Sequence, residues 1–218
     1  MYKKITHNII EEHFDHPLAT QIKKSITRSR FSENQIFDTT DFRRQVNGSM
    51  NEYANKLNQI LDGVTTPESD IIPAFTTIFG HINKMGDLSK SFFPVEFAER
   101  LVQSLRSWAI YSLMMVHKAK IGQDYMLYKE YVTRSADELS STFRDFNSAM
   151  PVLDFSPVII NISENINSKV DAKVANDINL IATFSETLVT NCRIFGNAYS
   201  NGIISKFPDR FTANVPTV

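Results

Sequence analysis

The residue types that could bind a metal ion are concentrated near the N-terminus. His7, Glu11, His13 and His16 fall within a short segment, and imidazole and carboxylate groups are common ligands of transition metals. His7 and Glu11 are neighbours one turn apart on a helix. Pro17 ends that helix before His13 and His16 gain a fixed geometry, because the residue before a proline disfavours helical dihedrals. We therefore predict a solvated polar helix end, with these four residues as weak metal candidates, and no cofactor.

Residues that could serve in catalysis are isolated. The one cysteine, Cys192, continues an apolar helical stripe with Leu188 and Phe195, so we expect a small buried hydrophobe rather than a nucleophile. His81 and His117 lie within apolar segments, where a core or edge role is typical. The seven glycines form no phosphate-binding loop, and no nucleophile elbow or zinc-protease motif occurs. No catalytic residue is predicted, and the sequence favours a protein that is not an enzyme.

Composition narrows the class further. The chain has 218 residues, 42% of them hydrophobic, and a formal charge of −1, which is typical of a folded globular protein. This balance argues against a protein that depends on nucleic-acid phosphates, so a nucleic-acid partner is not expected. The N-terminus shows no signal-peptide pattern, and no apolar run approaches the ~18 residues of a transmembrane helix. We therefore expect a cytoplasmic protein.

The spacing of apolar residues predicts an all-α fold. Short helices are expected over 5–14 and from Pro17 onward, a longer one over 40–62 that closes at Gly63, and one over 73–85 that stops at Gly86. Beyond these, three- and four-residue spacing continues from Pro94 to the next proline, and again from Ser156 to Tyr199. The sequence thus predicts a long antiparallel helical hairpin with the shorter N-terminal helices packed at one end.

The predicted organisation has three parts, which together form one structural domain. Residues 1–90 are N-terminal helices, 91–204 the long hairpin, and 205–218 an irregular tail in which Phe207 and Phe211 dock on the helices. Apolar residues surround the helix from Leu101 to Val116 and then thin to one stripe after Gly122. The thin part could project as a two-helix arm, or the hairpin could fold back at Gly122.

The turn of the hairpin is rich in apolar residues. Phe143, Phe146, Met150, Leu153 and Phe155 lie there, and an exposed apolar patch usually marks an interaction site. We predict these five residues as a contact for a partner or a membrane. The alternative is that the tip folds back into a compact bundle.

Taken together, the patterns predict a non-catalytic structural or interaction protein. We expect it to form homo-oligomers and to bind a protein partner or an apolar surface through the tip. The shape resembles that of phasins, which coat apolar storage granules, and of helical pore-forming toxins, so a granule or membrane-surface coat is a further alternative. Another alternative is a helical bundle, possibly an enzyme, that binds a small apolar ligand beside Leu105, Trp108, Met114 and Met115.

Overall fold

A computed structural model describes residues 35–146 and 155–212, and this part of the chain is a helical bundle. It confirms the all-α class, since six helices account for nearly all of it and its two strands have two residues each. In chain order the elements are β1 (Phe37–Asp38), α1 (Thr39–Asp62), α2 (Glu68–Lys90), α3 (Val95–Lys120), α4 (Met126–Asp145), α5 (Ser156–Val174), α6 (Ile178–Lys206), a 3₁₀ turn (Pro208–Arg210) and β2 (Phe211–Thr212).

Three helices form the centre of the bundle and three pack outside them. α1, α3 and α5 contact one another, while α2 packs on α1 and α3, α4 on α3 and α5, and α6 on α5 and α1. Every residue of α3 over 107–116 is buried. This agrees with the apolar circumference of that segment, since a helix that is hydrophobic on all sides belongs in a core.

Neighbouring helices run antiparallel. Arg100 at the start of α3 pairs with Asp145 at the end of α4, with Nη1 and Oδ2 2.8 Å apart. Arg43 at the start of α1 donates to Asn201 near the end of α6 over 3.1 Å. The connections α1–α2, α3–α4 and α5–α6 therefore lie at one end of the bundle, and α2–α3 and α4–α5 at the other.

The prediction for α1 is confirmed, and that for α2 is wrong at both boundaries. The side chain of Asp38 caps α1 by accepting from the Asp41 backbone N–H at 2.7 Å, and the helix closes at Gly63. α2, by contrast, contains both Pro73 and Gly86. A Cβ on Gly86 would fall inside the side chain of Val102 on α3, so this glycine permits close helix packing instead of ending the helix.

The two long helices of the predicted hairpin are each divided in two. The first breaks at Gly122, which has a φ of 68°, and the second at Asn176, which has a φ of 55°. After that second break Asp177 caps α6 by accepting from the Leu180 backbone N–H. The hairpin folds back at both breaks, so the described residues form no two-helix arm. The apolar spacing runs on across the breaks because both halves face the same core.

The predictions for the two terminal segments have different outcomes. The helices predicted over 5–14 and from Pro17 lie outside the described residues. In the tail, Phe207 and Phe211 pack against the core, as predicted. β1 and β2 form a parallel pair in which Phe37 is opposite Phe211, so the described part of the tail is fixed next to the start of α1.

Candidate interaction surface

Three loops meet at one end of the bundle, which we call the loop end: residues 63–67, 121–125 and 175–177. Lys120 at the end of α3 donates to the Thr66 carbonyl in the first loop. Lys173 near the end of α5 contacts Thr65 Oγ1 at 3.4 Å. Tyr125 in the second loop donates to the Asp171 carboxylate on α5 at 3.1 Å. These contacts hold the three loops together as one surface.

Exposed apolar side chains are concentrated at the loop end. Eleven large hydrophobic residues are exposed in the part of the chain that the structure describes, and seven of them lie here. Ile178 has the largest exposed fraction, 74%. The seven are Ile72, Ile121, Met126, Leu127, Val174, Ile178 and Leu180.

The first turns of α6 add to this surface. None of the ten residues over 178–187 is buried, and only one of them, Glu186, is charged. Ile181 and Phe184 continue the core-facing stripe that begins with Leu188, but both are only half-buried. Among the phenylalanines that the structure describes, Phe184 alone has no aromatic neighbour.

The cause of this exposure is a difference in helix length. Asn58 on α1 donates its amide N–H to the carbonyl of Ser185 on α6 over 3.1 Å. Beyond this contact α1 has four more residues and α6 has seven, so α6 extends roughly 5 Å further at 1.5 Å per residue. The first turn of α6 therefore passes the end of the helix that would otherwise cover it.

Charged side chains at the loop end are engaged within the chain. Lys129 pairs with Asp171 at 2.6 Å. The Asp62 carboxylate receives both Lys169 and Lys173, at 2.9 and 3.0 Å. In addition, Asp124 accepts from the Met126 backbone N–H, Asp177 from that of Leu180, and Lys118 donates to Gln123. The centre of the surface is therefore apolar. Its rim carries charges of both signs, because Lys118 and Lys120 donate to neutral groups and the Asp124 and Asp177 carboxylates accept from backbone N–H groups.

The opposite end of the bundle is closed by aromatic rings, and we call it the aromatic end. Six phenylalanines contact one another there across β1, α1, the α2–α3 loop and the tail. The rings of Phe92 and Phe211, for example, stack with centroids 5.4 Å apart. The six are Phe37, Phe42, Phe92, Phe93, Phe207 and Phe211.

The predicted tip lies beside the aromatic end, and its described part packs inward. Phe143 and Phe155 are buried and stack on each other with centroids 4.3 Å apart, so these two rings belong to the core and are not exposed. Phe146 is half-buried against Phe97. Met150 and Leu153 lie outside the described residues, so a contact made by that part of the turn stays a prediction.

The residues of the alternative ligand pocket are packed in the centre of the molecule. Leu105, Trp108, Met114 and Met115 are each at most 1% exposed. Trp108 donates its indole N–H to the Val132 carbonyl at 3.1 Å, so its one polar group is satisfied within the protein. Their positions agree with a plain core role, and the idea of a bound ligand stays a prediction.

A buried lysine is a polar centre that the sequence did not reveal. Lys169 on α5 is fully buried, and its ammonium group contacts the Asp62 carboxylate and the side-chain oxygen of Asn58, each at 2.9 Å. Burial lowers the pKa of Lys169, and the adjacent Asp62 partly opposes this shift. Its donors are met by groups of the protein, so the arrangement joins α1 to α5 rather than presenting a nucleophile.

The remaining chemical candidates behave as core or polar residues. Cys192 is buried, and burial raises the pKa of its thiol to about 12, which keeps it protonated and unreactive. Burial also lowers the pKa of His81, favouring the neutral imidazole. The weak metal candidates of the N-terminus lie outside the described residues. Within 35–146 and 155–212 no three histidine, cysteine or acidic residues are grouped as a metal site.

Comparisons with known proteins do not assign the chain to a family. No protein-family model matches the chain, and no curated protein or solved structure shows significant similarity to it. Among the described helices, none is long and apolar enough to cross a membrane. The loop end is therefore the feature with the most direct bearing on function.

One signal in the sequence could have indicated this surface. Residues 178–190 contain a single charge, Glu186, although the helix they form is on the outside of the bundle. An outer helix normally carries charged residues on its solvent face. A shortage of charge is also typical of a broad core face, and the sequence does not show that α6 is on the outside of the bundle.

Proposed function

We propose that this protein is a non-catalytic helical interaction protein that binds an apolar partner through its loop end. The observation that carries the proposal is the clustering there of seven of the eleven large hydrophobic side chains exposed in the described residues. Monomeric proteins rarely expose a contiguous apolar patch of more than a few hundred Å², and larger patches usually mark binding sites. The proposal keeps the interaction function predicted from the sequence and moves it to the opposite end of the bundle.

The rest of the described chain supports a role in binding rather than in catalysis. The most strongly shifted pKa values belong to buried groups such as Cys192, Tyr53 and Tyr199, and each is explained by burial in the core. Active sites instead combine shifted pKa values with a cleft and a specific charged partner. The buried ammonium group of Lys169 is already satisfied by Asp62 and Asn58.

A test compares matched variants at the two ends. Leu127→Ser with Ile178→Ser removes two exposed apolar side chains from the loop end, and Ile36→Ser with Val95→Ser removes two of similar exposure near the aromatic end. We expect the first variant to elute clearly earlier than the wild type from a phenyl-substituted resin. The second variant should elute close to the wild type.

The comparison also shows what would overturn the proposal. Both variants change only exposed side chains, so their helicity and melting temperature should stay near those of the wild type. If the loop-end variant is folded and is retained as strongly as the wild type, the loop end is not an apolar binding surface. The proposal would then fail.

A further inference from the structure

We propose that the partner at the loop end is a second copy of this chain, and that two molecules dock end to end about a two-fold axis. This inference rests on the proposed function and names its partner. A two-fold contact joins the same surface of each copy, so the surface must be compatible with itself. Charge, hydrogen bonding and area at the loop end each bear on that requirement.

The charges at the loop end permit self-association. Two surfaces with a net charge of the same sign repel each other, but the charges at the loop end nearly balance. Lys129 pairs with Asp171, and Asp62 with both Lys169 and Lys173. Asp124 and Asp177 offset Lys118 and Lys120 in number. The near balance of charge argues against an anionic membrane, which attracts surfaces with an excess of lysines. A surface with an apolar centre and a rim of balanced charge is compatible with a second copy of itself.

The polar groups of the first turns of α6 are compatible with burial. Thr183, Ser185 and Thr187 each donate their hydroxyl to a carbonyl four residues earlier in the same helix, over 2.9, 2.7 and 2.7 Å. A buried polar group is costly mainly when it loses its partner. Thr183 is the nearest of the three to the loop end, and its hydroxyl keeps its partner when water leaves, so covering the start of α6 costs this group no hydrogen bond.

The available area is sufficient for a modest dimer. Six helices spaced roughly 9 Å apart have a cross-section of about 400–500 Å². Two such ends in contact bury about 800–1,000 Å² in total, which is below the size of a stable specific interface and in the range of weak, transient contacts. We therefore expect a dimer that dissociates on dilution rather than a permanent one.

The first experiment measures mass against concentration for the full chain and two matched variants. Ile178 and Val95 are each the first residue of a helix, each is β-branched, and each is exposed, at 74% and 58%. They lie at opposite ends of the bundle. Aspartate at either position also suits a helix N-terminus, so Ile178→Asp and Val95→Asp should both fold.

The expected result is specific to the loop end. By light scattering over about 1–100 micromolar, the wild type and Val95→Asp should rise from monomer to dimer mass. Ile178→Asp places a new negative charge on both faces of the contact, and we expect it to weaken dimerisation by at least about tenfold. A wild type that stays monomeric over the whole range, or an Ile178→Asp variant that dimerises as Val95→Asp does, would overturn the inference.

A cross-linking experiment tests the end-to-end arrangement itself. Ile178→Cys and Val95→Cys carry one exposed thiol each, since the native Cys192 is buried and protonated. A short bismaleimide should join two copies of the first variant and leave the second largely uncoupled. A dimer by mass in which only the Val95→Cys variant cross-links would place the contact at the aromatic end and contradict the inference.

The outcomes separate this inference from the proposed function. If the wild type is monomeric but the loop-end variant loses retention on the phenyl resin, the loop end binds something other than itself and only the second-copy inference fails. Flotation with neutral phosphatidylcholine vesicles then tests an apolar surface as the partner, which is the coat alternative. If retention is also unchanged, both proposals fail.

Discussion

Lys169 joins two central helices, although its buried ammonium group loses its hydration by water. Its side chain is fully buried, and its ammonium group is held by the Asp62 carboxylate at the end of α1. Burial lowers its pKa, and the Asp62 carboxylate opposes this shift by stabilising the charged ammonium. Removing one member of a buried pair leaves the other without compensation, whereas removing the charge itself can be nearly neutral.

This asymmetry gives a prediction for two variants. Asp62→Asn leaves the buried ammonium without a counter-ion. Because the Asp62 side chain is 37% exposed and partly screened by solvent, we expect the free energy of unfolding to fall by about 2 kcal/mol, less than for a fully buried pair. Lys169→Met removes the buried charge, and Asp62 keeps Lys173 at 3.0 Å, so we expect a change within about 1 kcal/mol. Urea unfolding measures both values. Equal losses for the two variants would contradict the account of Lys169 as a charge held by Asp62.

The apolar turn illustrates why burial of a single residue was hard to predict. Phe143 and Phe155 are near a proline-bounded turn, and such turns are usually on the surface. In the structure their rings stack on each other and contact Phe195 on α6. That contact depends on α6 returning to the same end of the bundle. Periodicity along the chain carries no information on it.

Gly122 and Asn176 determine whether the chain forms long rods or a compact bundle. Both have positive φ angles, which place them in the left-handed region. Glycine adopts that region without a Cβ penalty and asparagine tolerates it, whereas other residues pay about 1–2 kcal/mol. Replacing either residue with alanine should therefore lower the free energy of unfolding by a measurable amount.

Asn176 provides the sharper test, because glycine serves as its control. We expect Asn176→Ala to lower the free energy of unfolding by about 1 kcal/mol. Asn176→Gly should leave it nearly unchanged, since glycine adopts the same φ freely. If alanine instead stabilises the protein and glycine destabilises it, α5 and α6 form one continuous helix, as the apolar spacing alone suggested.

The sequence predicted the helices better than their ends. The bounds of α1 were predictable from its stripe and Gly63, and the break at Gly122 from the glycine itself. The break at 175–177 was missed, although an asparagine followed by a capping aspartate is a recognisable signal. Gly86 was misread because a glycine that ends a helix and one that admits Val102 look alike in sequence.

At the scale of the molecule, the two ends of the bundle differ in how far their apolar side chains are exposed, and the sequence does not show this difference. Six phenylalanines close the aromatic end, while seven large hydrophobic residues remain exposed at the loop end. The exposed residues come from four different helices and one loop, so no single segment carries the pattern. Only the alternation of helix direction brings Met126, Val174 and Ile178 to one surface. The all-α class was predictable from the spacing of apolar residues, whereas the only sign of the candidate site in the sequence was the shortage of charge over 178–190.

The buried core makes the whole molecule sensitive to alkaline pH. Burial raises the pKa of Cys192 from 9.0 to about 12, and it also raises those of Tyr53 and Tyr199 well above 10.0. The unfolded chain releases these protons near pH 9.0 and 10.0 while the folded chain keeps them. This stabilisation is fully present below the unfolded pKa values and is lost as pH rises past them.

We therefore expect the urea midpoint to fall steeply above pH 9.0, with each such group contributing up to about 1.4 kcal/mol per pH unit. Lys169 opposes this trend, because its pKa is lowered in the folded state. It is one group against six, since burial also raises the pKa of Tyr111, Tyr125 and Tyr128. Cys192→Ala is the matched variant: it removes the group that titrates first, so its midpoint should begin to fall nearer pH 10.0. A wild-type midpoint that stays constant from about pH 8 to 10.5 would show that these groups are not buried in the folded protein, and would contradict the core described here.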